Sequence, residues 1–383
     1  MIYLDNAATT FPKPRVVVDA VSECLSDACG NPGRAGHALS VRAGEIVYSC
    51  REAAASFFGS DAPENVVFAE NATGALNLAL YGMLRRGDHV LISGIEHNAV
   101  LRPVHAMLAE GVTYSVYPVS SDPDEVVRGM EKRLRPNTRL VVACHASNIC
   151  GIVLPLDRIG AFCEKHRLRF LVDASQSAGK LPLNIGEIRA DAVCAPGHKG
   201  LYGPPGVGFV LFGDRYRGEN GKRLRPLLSG GSGSRSLEPE MPPFLPDRLE
   251  AGTLPLPAIA GLEAGIRAVS SIGPERLAAY EGELAGEAAE RLSALPGVRV
   301  WLPELSGKNG IVLFTVDGIP PEEGAAKLDE RGICVRAGYH CAPLAHRTVG
   351  TPAGGGIRAS FSMYNTGSDV DALCEAVREI SEQ

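Results

Sequence analysis

Between residues 64 and 212 the chain alternates short apolar runs with amphipathic stretches, and this alternation restricts the possible folds more than any other feature. The runs are Asn65–Ala69, His89–Ser93, Thr113–Val119, Arg139–His145, Arg169–Asp173, Ala190–Ala195 and Val207–Phe212. Helical patterns such as Ala72–Leu84, Val100–Leu108, Asp124–Leu134 and Leu156–His166 lie between the earlier runs. Short runs that are apolar throughout belong to strands buried on both faces, and parallel strands need a crossover between them. The spacing therefore predicts an α/β fold with a mainly parallel sheet covered by helices. In such sheets ligands bind beyond the carboxyl ends of the strands, and Asp173 falls at such an end.

The segment Leu227–Pro246 changes character. Its Ser/Gly-rich stretch and following prolines read as a loop. Helical patterns at Ala258–Ser271 and Pro274–Leu295 follow, then strand patterns at Val298–Trp301 and Gly310–Val316. A helix at Pro321–Arg331, strands at Ile333–Arg336 and Gly356–Phe361, and a helix after Gly367 complete the chain. The reading is a large domain over 15–256 and a smaller α+β domain made from 1–14 plus 257–383.

Composition excludes several function classes. The 383 residues are 45% hydrophobic, enough for a well-buried core, and carry a net charge of -6. An acidic chain without a Lys/Arg run is a poor nucleic-acid binder. No apolar run approaches the ~20 residues of a membrane span. The first residues lack the basic and apolar regions of a signal peptide, so a cytoplasmic protein is expected. The ten cysteines contain no C-x-x-C pair, so no metal site is read; most stand in apolar settings as small buried thiols.

Lys199 lies in a Gly/Pro-rich bend, Ala195-Pro-Gly-His-Lys-Gly-Leu-Tyr-Gly-Pro-Pro-Gly-Val-Gly208, 26 residues after Asp173. A lysine held at a strand edge and a carboxylate at a neighbouring strand end are the two groups that pyridoxal 5'-phosphate (PLP) needs. The amine forms a Schiff base with its aldehyde, and the carboxylate pairs with its ring nitrogen. Around them stand further candidates, each with a plainer reading. The start Asn71-Ala-Thr-Gly74 opens a helix after a strand, where Thr73 and Gly74 suit a phosphate, unless Asn71 is simply the N-cap. His198 is placed to cap the same phosphate. His97 suits stacking on a flat ring and proton transfer, or a structural role. Asn148 and Gln176 reach toward a phenolic oxygen or a carboxylate, or satisfy loop backbone. Arg358 suits an amino-acid carboxylate or an internal ion pair.

Cys341 is the discriminating residue. It stands in Arg336-Ala-Gly-Tyr-His-Cys-Ala-Pro343, polar and glycine-flanked, where His340 and Arg336 are expected to lower its pKa and make it a nucleophile.

These motifs together resemble the class V aminotransferase superfamily and, within it, the group II cysteine desulfurase / selenocysteine lyase family. The likeness rests on Tyr3-Leu-Asp-Asn-Ala-Ala-Thr-Thr10, Gly197-His-Lys-Gly-Leu-Tyr-Gly-Pro204, Arg336 through Ala342, and Arg358-Ala-Ser with Tyr364-Asn-Thr366. It implies PLP fold type I with a mixed seven-stranded sheet, and a homodimer with sites at the interface. By the same resemblance Lys199 holds PLP, Asp173 pairs with its ring nitrogen and His97 stacks on the ring. Gln176 and Asn148 meet the phenolic side. Thr73 and His198 hold the phosphate with Thr253 from the other subunit, and Arg358 binds substrate carboxylate with Asn148 and Arg336 close by. The implied reaction is desulfuration of L-cysteine to L-alanine through a persulfide on Cys341, with a possible sulfur-acceptor protein. Selenocysteine lyase and a plain class V aminotransferase are the alternatives. The chain departs from the family at Pro196 and Ala72, where relatives often carry hydroxyl residues.

Overall fold

The computed structural model describes residues 1–32, 36–302 and 308–382. The chain opens with a short strand, β1 (Ile2–Tyr3), and two helices, α1 (Arg15–Glu23) and α2 (Ala38–Phe57). The predicted alternation follows as β2 (Val66–Ala69), α3 (Ala72–Met83), β3 (His89–Ser93), α4 (Asn98–Ala106), β4 (Thr113–Tyr117) and α5 (Pro123–Glu131). It continues with β5 (Thr138–Cys144), α6 (Leu156–His166), β6 (Arg169–Asp173), β7 (Ala192–Pro196) and β8 (Gly208–Phe212).

Seven strands form one sheet in the order β2-β8-β7-β6-β5-β3-β4. The four pairings from β7 to β4 are parallel, and β8 runs antiparallel to both its neighbours. The sheet is thus mixed but mainly parallel. Successive residues of each strand feed opposite cores, as a period of two requires. Val141, Val172 and Val193 pack with Val47 and Ala54 of α2, while Val142, Leu171 and Cys194 pack with Leu76 of α3 and Val104 of α4. Both faces are covered, which is why these runs are apolar throughout.

Helices α1 and α2 fall before the alternation and have no counterpart in the sequence reading above. In α2 the buried positions include Ser40, Ala43, Val47, Cys50 and Ala54, a 3-4-3-4 spacing. The periodicity is there, but small residues carry it, so its apolar signal is weak.

Residues 227–246 form turns and bends without a helix or strand. Helix α7 (Leu256–Ile272) then packs its Ile259 and Leu262 into the core beside α2. The second unit comprises α8 (Pro274–Ser293), β9 (Val298–Val300), β10 (Ile311–Val316), α9 (Pro321–Asp329), β11 (Ile333–Cys334), β12 (Arg336–Gly338), α10 (Pro343–Val349), β13 (Gly356–Ser360) and α11 (Gly367–Ser381). Its sheet is antiparallel in the order β12-β13-β10-β9. The predicted strand over Ile333–Arg336 divides at Val335, because β11 pairs with β1 while β12 pairs with β13. Leu4 is buried among α8, α11 and β10 side chains, so the chain's start belongs to this smaller core and brings Asp5 toward the sheet junction.

Candidate active site

The carboxyl ends of β2, β3, β5, β6 and β7 face the second unit across a cavity of about 620 Å³. Thr73, His97, Asn148, Asp173, Gln176, His198 and Lys199 line it from the large sheet, and Arg336, Cys341 and Arg358 line it from the other side. A larger open groove of about 890 Å³ between α2 and α7 has no cysteine, histidine or lysine in its wall, so size alone does not select the site.

Lys199 follows β7 in a bend that depends on close backbone approach. Gly179 has φ +85°, and a Cβ there would meet the Gly200 carbonyl at 2.0 Å. A side chain at 179 would therefore push the bend away from the segment that follows Asp173. Burial pushes the Lys199 amine down to about 8, helped by Arg358 and Arg336 and opposed by Asp173. Roughly a tenth of it is then free amine at pH 7.

Asp173 is 2% exposed. Its Oδ1 accepts the Ser175 backbone N–H at 2.9 Å and the Ser175 hydroxyl, which orients the carboxylate. His97 caps α4, and its Nδ1 accepts the Ala99 N–H at 3.0 Å, so its neutral ring carries the proton on Nε2. Burial lowers its pKa, and the Asp173 charge works against that. Gln176 donates to the Ala7 carbonyl at 2.9 Å.

Arg358 is 2% exposed. Its Nη2 meets Asp5 Oδ1 at 2.8 Å, and its Nη1 donates to the Asn148 carbonyl at 2.9 Å. Arg336 meets Asp5 Oδ2 at 2.8 Å. The two arginines are direct cross-strand partners on β12 and β13, a like-charge arrangement that is unfavourable alone. Asp5 compensates it. Asp5 belongs to the opening motif, and its role is visible only once the chain's start is set against β13.

Two expectations change, those for Gly74 and His340. Gly74 does not line the cavity, because its N–H is taken by Asn71 Oδ1 at 2.9 Å: Asn71 is the N-cap, and Thr73 alone of the pair faces inward. His340 does not bring positive charge to Cys341. Burial and the Arg358 charge hold its imidazole down at about 3, so it is neutral at working pH. Thr253 is exposed and lies outside the cavity of its own chain.

Of the ten cysteines, seven are buried, Cys334 is half-buried, and Cys29 and Cys341 are exposed. Cys144 also reaches the cavity, but burial raises its thiol well above the ordinary range, which leaves it protonated. Cys341 is the accessible thiol of the cavity.

The walls fit a flat anionic cofactor. Three buried polar atoms of the lining residues have no partner among the described residues: Asn148 Oδ1, His198 Nδ1 and Arg358 Nε. Such atoms cost about 1–3 kcal/mol each unless a ligand or water meets them. Burial, with Lys199 and Lys13 nearby, keeps His198 neutral by lowering it to about 4. Pro196 and Ala72 both line the cavity and bring no side-chain donor, so Thr73, His198 and the backbone N–H groups opening α3 are the donors left on that side to meet an anion.

The family model for aminotransferase class-V matches residues 2–373. The chain belongs to this family. It is 35% identical over its full length to a probable cysteine desulfurase of Mycolicibacterium paratuberculosis (strain ATCC BAA-968 / K-10), of which it covers 56%. A second mycobacterial relative is covered to 62%, so the chain spans rather more than half the length of these proteins. It is 33% identical to a probable cysteine desulfurase of Methanothermobacter thermautotrophicus over 99% of its residues and 94% of that protein. Among solved structures, the apo cysteine desulfurase of Thermococcus onnurineus NA1 superposes with a TM-score of 0.90 at 31% identity, covering 100% of this chain and 94% of that one. The cysteine desulfurase CsdA (S-sulfonic acid) of Escherichia coli gives 0.87 at 28% identity, with 99% and 94% covered. These matches fit the PLP fold type I expectation. Among the described residues no helix is long and apolar enough to cross a membrane.

Proposed function

We propose that the protein is a PLP-dependent cysteine desulfurase that converts L-cysteine to L-alanine and leaves the sulfur as a persulfide on Cys341. One observation carries this reading: the exposed thiol of Cys341 opens into the same cavity as Lys199, Asp173 and Arg358. A plain aminotransferase has no task for that thiol. Selenocysteine lyase uses the same parts and is separated from the first reading by assay.

PLP, when bound, supplies an electron sink for the amino acid's α-carbon. Lys199 holds it and then acts as the base at Cα, for which an amine near 8 is suited. Asp173, oriented by Ser175, would keep the ring nitrogen protonated, and His97 would cover the ring. Asn148 would meet the phenolic oxygen. Thr73 and His198 would hold the phosphate, with Thr253 joining them across a homodimer interface. Arg358 binds the substrate carboxylate through its free Nε while Asp5 fixes its other end. Cys341 thiolate attacks the substrate sulfur. The S–S bond forms as the C–S bond breaks, and its electron pair stays with the carbon fragment, which is protonated to alanine. Arg336 lies close enough to Cys341 for their charges to interact, a contact that the neutral His340 does not supply. The reading includes a two-domain division whose expected boundary at 257 moves to 274, because α7 packs in the large-domain core, and a separate protein as sulfur acceptor.

Cys341→Ala tests it. Cofactor absorbance is expected to be intact, while sulfide and alanine release from L-cysteine falls roughly 10³-fold or more, the scale of losing a covalent nucleophile. Mass spectrometry of the wild type after L-cysteine should show one added sulfur on the Cys341 peptide. Unchanged turnover in the variant, or sulfur on another cysteine, sinks the reading.

A further inference from the structure

His340 and Cys341 both occupy the left-handed region, with φ of 51° and 54°. Non-glycine residues adopt it only against a steric penalty, and two in succession persist only where the surroundings over-determine them. Part of that restraint acts on the turn's backbone groups. Asn148 Nδ2 donates to the His340 carbonyl at 2.8 Å, Asn98 N–H to the Cys341 carbonyl at 2.7 Å, and Ala342 N–H to the Tyr339 carbonyl at 2.9 Å.

The rest runs through imidazole rings. His340 Nε2 lies 3.2 Å from the Arg336 carbonyl. A carbonyl only accepts, so Nε2 carries the proton and Nδ1 must accept. His346 Nε2, on α10, stands 3.1 Å from that Nδ1 and is therefore the donor. His346 Nδ1 must in turn accept, and the Thr351 hydroxyl donates to it at 2.8 Å. Every proton in the chain follows from the Arg336 carbonyl. The two rings are 11° from parallel with centroids 5.4 Å apart, the separation of near-coplanar rings joined end to end by that hydrogen bond, and Tyr339 stands edge-on to His346. Both imidazoles are neutral, held low by burial and by Arg358.

We propose that His346 is a positioning residue for Cys341: with Thr351 it locks His340 as the neutral Nε2–H tautomer and so maintains the strained turn that presents the thiol to the cavity. The proposal rests on Cys341 being the nucleophile. It gives His340 a different task from an activating charge. The ring is a brace between β12 and α10, and its partners set which way it faces.

The test uses His346→Gln, His346→Leu and Thr351→Val in the PLP-loaded enzyme. Glutamine places an amide N–H close to where imidazole Nε2 stands, so it keeps the donor; leucine does not. His346→Leu should lower kcat for L-cysteine about ten-fold or more, the worth of one buried hydrogen bond, with KM and cofactor absorbance unchanged. It should slow Cys341 alkylation by iodoacetamide in parallel. Glutamine should restore most of both rates. Selenocysteine turnover should be spared, because the weaker C–Se bond needs less help from the thiol, whereas a general loss of structure would lower both substrates together. Thr351→Val should show the same pattern more weakly, and it carries the test if the leucine variant does not fold. Equal losses with both substrates, or equal behaviour of leucine and glutamine, would overturn the proposal. If Cys341→Ala itself desulfurates cysteine normally, the functional reading falls instead, whatever His346 does.

Discussion

The two walls of the cavity are built in different ways. On the large-sheet side Asp173, Lys199, His97 and Asn148 follow the ends of four strands, so regular backbone places them. On the other side Arg336 and Arg358 are cross-strand neighbours of like charge, and Cys341 stands on a turn with two left-handed residues. That wall keeps its shape through side-chain bonds: Asp5 between the arginines, and Asn148, His346 and Thr351 around the turn. Backbone-built geometry survives the loss of a side chain, while side-chain-built geometry does not. Substitutions in the first wall should therefore remove chemistry and spare the fold; those in the second should disturb both.

Lys199 gives the largest expected effect and the sharpest check on the first half of that contrast. Lys199→Met should abolish the borohydride-reducible cofactor adduct and lower turnover by roughly 10²–10⁴-fold, the range for a lost general base. Without cofactor it should nonetheless melt at a higher temperature than the wild type at pH 7. Burial disfavours the ammonium, so at neutral pH the fold holds a charged amine at a cost. The unfolded chain binds more protons between about 8 and the ordinary lysine value, so wild-type stability rises with pH across that window. The variant's advantage should shrink over the same range in thermal melts. A variant less stable than the wild type at pH 7 would break the comparison.

Arg358 tests the second half. Arg358→Gln should lower kcat/KM for L-cysteine roughly 10–100-fold, as expected for losing a charge-assisted contact, with the loss mainly in KM. Cofactor absorbance should persist. Unlike the lysine change, this one should also lower the melting temperature, because Asp5 and the Asn148 carbonyl each lose a partner. A variant with a normal melt and a raised KM would show that the second wall does not depend on these bonds.

The same division explains what the sequence discloses. The first wall was legible because strand ends can be read from apolar runs: β6 and α6 are observed over the residues expected of them, and Asp173 and Lys199 follow from strand positions. Cys341 and Arg358 were legible as residue types in motifs. The ties that hold them were not. Asp5 meets Arg358 across 353 positions, and local periodicity carries nothing about such a contact. His346 lies on a seven-residue helix too short to show a pattern, and His340 beside a cysteine reads as an activating charge until its burial is seen. Helices α1 and α2 escaped for another reason: small buried residues give little apolar contrast.

Acid gives the smallest effect and separates the walls in one experiment. His340 and His346 sit at about 3 and about 4 in the fold, against roughly 6.5 for an unperturbed imidazole. Below that ordinary value the unfolded chain takes up protons that the native pair does not, so stability is full above about 6.5 and declines as pH falls toward 4. The slope is about 1.4 kcal/mol per pH unit for each such proton. His198 and His145, both near 4, and His97, also lowered by burial, add to the decline from the large-sheet side, but as separate rings rather than a hydrogen-bonded pair. A proton added to the pair on the second wall turns the Thr351 hydroxyl from donor to acceptor and places a new charge in a buried spot that already faces Arg358. Native-state hydrogen exchange at pH 5 should therefore rise first over residues 339–351 and later over 196–202. In His346→Gln the stability decline should be shallower by about one proton. Exchange that rises together in both segments, or an unchanged slope in the variant, would mean that the two walls share one response to acid.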